Sequence, residues 1–182
     1  MNKLYAFCAV TLFLYSGFSY ADNRLKASLI KLEKCQKSLK SDCLAAYTFP
    51  SLVEATGGLD KLIKTMRNYY KNMDKKEIHP DYHNFVIGKP LKTFDYKNYI
   101  VTLVPTKTKL IMKDHMGSVE STLIGYSIKG SSRWYFINGK QENIKFIMKD
   151  IPGVISEINI PPPKMTLDGK SYKKVNGAWE KL

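Results

Sequence analysis

The sequence predicts an α+β fold in which N-terminal helices precede an antiparallel sheet and pack against it. Two observations predict it. Up to Met73 the apolar residues recur at the three- and four-residue spacing of amphipathic helices. Beyond Pro80 they gather instead into short β-branched and aromatic runs divided by brief turns. Strands joined so closely pair antiparallel, because parallel pairing needs a long crossover.

The elements follow in order. Leu25, Leu29, Ile30, Leu32, Cys35 and Leu39 predict a helix over residues 24–39 with lysines on its other side, ended by Ser41-Asp42. Pro50 suits the first turn of a short helix that Thr48 is placed to cap and Gly57-Gly58 to end. Leu59, Leu62, Ile63, Met66, Tyr69, Tyr70 and Met73 then hold one helical face over four turns, the stripe of a core helix. Strands are predicted at 85–87, 99–104, 110–112, 119–128 and 134–137. Gly88-Lys89-Pro90, Pro105-Thr106, His115-Met116-Gly117 and Gly130-Ser131-Ser132 supply the turns. A short helix over 141–150 stops at Pro152-Gly153, and Ile158-Asn159-Ile160 runs into three prolines. Beyond them, residues 164–182 read as a C-terminal tail with a small hairpin about Asn176-Gly177.

The N-terminus has the grammar of a secretory signal peptide. Lys3 gives a positive start, residues 4–18 are apolar and uncharged, and Ser19-Tyr20-Ala21 puts small residues at a cut site. The apolar run falls short of the roughly 20 residues that span a bilayer, which favours cleavage over a retained anchor. Cys8 lies inside that run without a lipid-attachment signal. The expected product starts at Asp22, lies in the periplasm or outside the cell, and has no transmembrane anchor.

Cleavage would leave 161 residues with a net charge of +12, against +13 for the full chain, enough for one domain with one core. Of the 29 basic residues only Arg24, Arg67 and Arg133 are arginine, and the lysines are spread along the chain. Nucleic-acid binders concentrate their charge and use arginine for forked contacts, so no nucleic acid is expected. The charge favours an anionic partner. Two cysteines remain after cleavage, Cys35 and Cys43, and an even pair in an oxidising compartment predicts a disulfide. Their spacing fits neither a CxxC redox motif nor a zinc knuckle.

Several fragments, taken in order, carry a family likeness. They are Tyr47-Thr48-Phe49-Pro50 leading into Leu52-Val53-Glu54, Gly57-Gly58 before the long helix, Val86-Ile87-Gly88-Lys89-Pro90, and Leu103-Val104-Pro105-Thr106. Trp134-Tyr135-Phe136-Ile137 and Ile158-Asn159-Ile160-Pro161-Pro162 complete the series. Over most of residues 43–163 the chain resembles exported bacterial members of the nuclear transport factor 2-like superfamily, whose function is uncharacterised. The resemblance implies a cone, in which N-terminal helices pack into a strongly curved antiparallel sheet spanning a domain of residues 22–163. It licenses no activity, because one fold hosts many functions.

Catalysis in such a cone would need a carboxylate or histidine base beside an acid or oxyanion partner. The predicted strands hold one acid, Glu120, and no histidine; Asp74, Asp95, Asp114 and Asp150 fall on predicted helices or turns. His79 and His83 flank Asp81 at the spacing of helical metal ligands, but Pro80 disfavours that helix and a surface turn is expected there. His115 reads as a solvated turn residue. The expectation is a non-catalytic binding protein with no cofactor and no metal. Its pocket candidates are Tyr69, Tyr70, Phe85, Tyr99, Tyr126, Trp134 and Phe136, which would hold a small apolar ligand in the cone. The open sheet face would alternatively take an acidic protein partner, as in a periplasmic immunity protein that neutralises an acidic toxin. An isomerase- or dehydratase-like enzyme is the remaining alternative. A homodimer is compatible with the sequence.

Overall fold

A computed structural model describes residues 23–112, 115–175 and 178–182. The predicted signal peptide and its cut site lie outside the described residues. Helix α1, described over 23–37, turns through Leu39 in the left-handed region (φ 52°) into α2, Ser41–Ala46. Cys35 and Cys43 join the two helices in a disulfide, with Cα atoms 5.9 Å apart. Helix α3, Pro50–Ala55, carries Pro50 in its first turn, and Gly57 and Gly58 follow it at φ 89° and 101°. Glycine alone adopts those angles without penalty, so the chain reverses there into α4, Leu59–Lys71.

Thr48 does not cap α3. Its hydroxyl donates back to the carbonyl of Leu44, closing α2, and the cap comes from far along the chain. The backbone N–H of Ser51 donates to both carboxylate oxygens of Asp150, at 3.2 and 3.3 Å.

Among the described residues eight strands form one antiparallel sheet. They are β1 (His79–Ile87), β2 (Lys92–Tyr96), β3 (Tyr99–Ile111), β4 (Met116–Ile128), β5 (Tyr135–Asn138), β6 (Lys164–Leu167), β7 (Lys170–Val175) and β8 (Ala178–Lys181). Helix α5, Ile144–Asp150, interrupts them between β5 and β6. Strands β3 and β4 form a 13-residue hairpin in continuous register from Tyr99↔Ile128 to Ile111↔Met116. Each long strand changes partner midway along its outer edge: β3 pairs first with β2 and then with β1, β4 first with β6 and then with β5.

Four expectations are corrected by this sheet. Pro105 is not a turn but lies inside β3. It sits in the gap between Leu103, the end of the β2 ladder, and Thr106, where the β1 ladder begins, so its missing N–H breaks no ladder bond. The turn expected at His115-Met116-Gly117 is already strand from Met116 onward. Asp95 is on strand β2, not in a turn, and pairs with Lys129 at 3.2 Å. His79 and His83 lie on edge strand β1, not in a surface turn; Pro80 is tolerated near the start of such a strand. Residues 164–182 join the same sheet: β6 pairs with β4 and carries β7 and β8 on from it.

Helices cover both faces of one half of the sheet. On one face, α1 and α2 bring Leu25, Leu29, Leu32 and Leu44 onto Val104, Trp134 and Phe136. On the other, Phe49, Ile147, Ile151 and Val154 pack on Val101, Leu103, Ile124 and Tyr126. β3 is therefore buried on both sides from Val101 to Val104. Gly125 makes this closeness possible, because a Cβ there would lie 2.6 Å from the Phe136 ring and 2.9 Å from Thr102. Among the described residues no helix is long and apolar enough to cross a membrane.

Candidate functional site

The seven aromatic candidates do not line one pocket. Tyr126 is buried on the α3–α5 side, edge-on to Phe49 at 4.8 Å and to Tyr99 at 5.7 Å. Trp134 and Phe136 are buried on the opposite side, stacked at 6.2 Å between centroids. Tyr70 packs on that second cluster, contacts Tyr69 and Tyr82 edge-on, and accepts a hydrogen bond from Gln36. Tyr69 is 39% exposed under the ammonium of Lys76, and Phe85 is buried on β1. The sheet divides five of the seven between two cores, Tyr99 and Tyr126 on one side and Tyr70, Trp134 and Phe136 on the other.

Asp150 is the half-buried carboxylate closest to a catalytic profile. Burial pushes its carboxyl above the ordinary aspartate value, opposed by hydrogen bonds from Ser51 and from the Tyr126 phenol. Those donors are what it serves: Asp150 ties α5 to the start of α3, and the Ser51 hydroxyl bonds the Phe146 carbonyl at 3.0 Å. A raised folded-state pKa means the folded chain holds this proton more tightly than the unfolded one. The contribution of Asp150 to stability is therefore full below the unfolded value and falls as pH rises through the folded one. Asp150→Asn keeps an acceptor without the charge, and its stability relative to wild type should improve from acid to neutral pH. Asp150→Ala should lose about 1–3 kcal/mol by orphaning the Ser51 and Tyr126 donors. Urea titrations at acid and neutral pH check both; an Ala variant equal to wild type would refute the capping role.

The histidines form no metal site. Three strand residues separate His79 from His83, four steps and roughly 13 Å at the usual rise. Asp81 accepts instead from the His83 backbone and the Asn84 amide, at 3.1 and 2.6 Å, within the bulge between Asp81 and Val86. His115 bonds Asp168 at 2.6 Å on exposed turns, and this bond holds the Asp168 carboxyl below its usual range. Among the described residues no group of three His, Cys, Asp or Glu is placed to hold a metal ion.

Two surfaces remain. Beside the disulfide, Lys31, Lys34, Lys40, Asp42 and Tyr47 line a groove of about 570 Å³. The larger feature is the half of the sheet beyond the helices. Residues opposite each other across a ladder share a face. The register thus sets Pro80, Leu110, Gly117, Leu167 and Lys170 in one row. Thr108, Val119, Met165, Tyr172 and Lys181 form the next row, and Lys174 opposite Trp179 continues the same face. This is the face that α1 and α2 cover at Val104. Leu110, Val119, Met165, Leu167 and Tyr172 are half-buried, and none belongs to or packs on either buried cluster.

The charges are sorted between the two faces. Asp81, Glu120 and Glu180, the acids of these strands, all project to the reverse face, opposite Lys109, Lys107 and Lys173. There Lys107 and Glu120 pair at 3.0 Å. The open half of the first face keeps lysines and apolar side chains, and none of Asp81, Glu120 and Glu180 projects onto it; Asp95 shares the face only at its helix-covered end, opposite Ile100. Alternation within single strands was legible in the sequence; that strands from residues 110 and 179 share a face was not.

No known protein family, curated protein or solved structure matches the chain.

Proposed function

We propose that the protein is a non-catalytic binding protein of the bacterial envelope, whose recognition surface is the open half of the sheet and whose partner is anionic. One observation carries this: an apolar sheet face that bears Lys170, Lys174 and Lys181, with Asp81, Glu120 and Glu180 on the reverse face and Asp168 at the turn beside Lys170. A half-buried apolar face with no helix over it marks an interaction surface, and a net charge of +13 would hasten encounter with an anionic partner. The division of five aromatic candidates between two separate cores favours this surface over a ligand pocket inside a cone. Export fits the Cys35–Cys43 disulfide, since such bonds persist in oxidising compartments. The nuclear transport factor 2-like likeness is part of the proposal, supported by helices that precede one antiparallel sheet.

Immobilised protein should retain an envelope component at low salt and release it at high salt, as screened charges would. The variant Lys170→Glu/Lys174→Glu/Lys181→Glu should retain none. Equal retention by both proteins would overturn the proposal.

A further inference from the structure

We infer that the open sheet face docks onto an anionic phospholipid bilayer, an inference that rests on the binding reading above and names its partner. The sorting of charge sets the requirement. Lys170, Lys174 and Lys181 share the face with Leu110, Val119, Met165 and Leu167, while Asp81, Glu120 and Glu180 lie behind and Asp168 sits at the turn beside Lys170. A partner must answer cations and apolar carbons on the same surface. An anionic bilayer does so, with phosphates at the headgroup level and acyl carbons just below. Lysine stems lie along apolar surface while their ammonium groups reach outward, which suits that depth. Tyr172 and Trp179 have the apolar body and polar tip that favour a membrane–water interface. A second copy fits poorly, because two such faces would press six lysines together.

Trp179 makes the contact observable. The chain has two tryptophans, and Trp134 is only 2% exposed whereas Trp179 is 38% exposed on the face. A change in emission on binding therefore reports Trp179. The full chain is titrated with vesicles of equal parts phosphatidylglycerol and phosphatidylcholine, and with phosphatidylcholine alone. A blue shift is expected with the anionic vesicles alone and should reverse in high salt. Lys170→Gln/Lys174→Gln/Lys181→Gln should weaken partitioning roughly 100-fold, about fivefold for each lysine near an anionic surface. Trp179→Phe should abolish the shift while leaving sedimentation with vesicles intact. Any contribution from apolar residues 4–18 is common to all variants and both vesicle types, and the buried Trp134 emission confirms that each variant is folded. A Trp179 emission that stays unchanged on anionic vesicles, or shifts equally on neutral ones, overturns the inference. If envelope capture then still depends on the three lysines, the partner is an acidic protein and the binding proposal stands. If capture fails as well, both fall.

Discussion

Trp134→Ala lowers the stability of the folded chain by about 4 kcal/mol. Trp134 is 2% exposed, and its cluster joins α1 and α2 to the sheet through Leu25, Leu29, Leu32, Val104 and Phe136. Removing the indole deletes its transfer energy and leaves a cavity bounded by a two-helix layer that the disulfide restrains from collapsing. Small domains hold only some 5–15 kcal/mol in total, so the variant would keep its fold with a much reduced margin. Urea unfolding followed by circular dichroism should show a lower midpoint at an unchanged slope. A loss below about 1 kcal/mol would mean that the indole is not a structural pillar.

Cys35→Ala/Cys43→Ala should cost about 2.5 kcal/mol, chiefly by freeing the unfolded chain, since the bond closes a loop of sequence separation 8. The folded chain should survive. Backbone bonds from Lys40 to Cys35 and from Leu44 to Lys40, both 3.0 Å, already set the turn between the helices. Both long strands and α4 lie outside the loop. Thermal unfolding with and without reductant should lower the midpoint of the wild type alone, to that of the double variant. A wild type indifferent to reductant would contradict this.

The helices, the disulfide and the order of the main strands were legible because each rests on local signals: apolar spacing, two cysteines, β-branched runs. Strand β2 was not. Its hairpin to β3 turns on Lys97 at φ 51°, where glycine or asparagine would have announced the turn, so Lys92–Tyr96 looked like a loop. Pro105 misled in the opposite direction. Proline usually punctuates, yet here the neighbouring strand ends where its N–H is missing. The capping of α3 by Asp150 spans 99 residues, and a local search finds Thr48 first. The candidate face was least visible of all. Three prolines set residues 164–182 apart in the sequence, but the pairing Val119↔Met165 brings them into the sheet, and only that pairing lines up the lysines.

The unbroken β3–β4 ladder has a dynamic consequence. Its thirteen rungs run from a region with helices on both faces to one without. Local opening is easiest where few buried contacts must be broken, so the free end can part from its neighbours while the other end stays closed. Amide hydrogen exchange should therefore be graded along one strand, slow at residues 101–104 and fast at 108–111. Uniform protection would show instead that the hairpin opens as one unit. A graded ladder would let the exposed end adjust to whatever it meets without placing the core at risk.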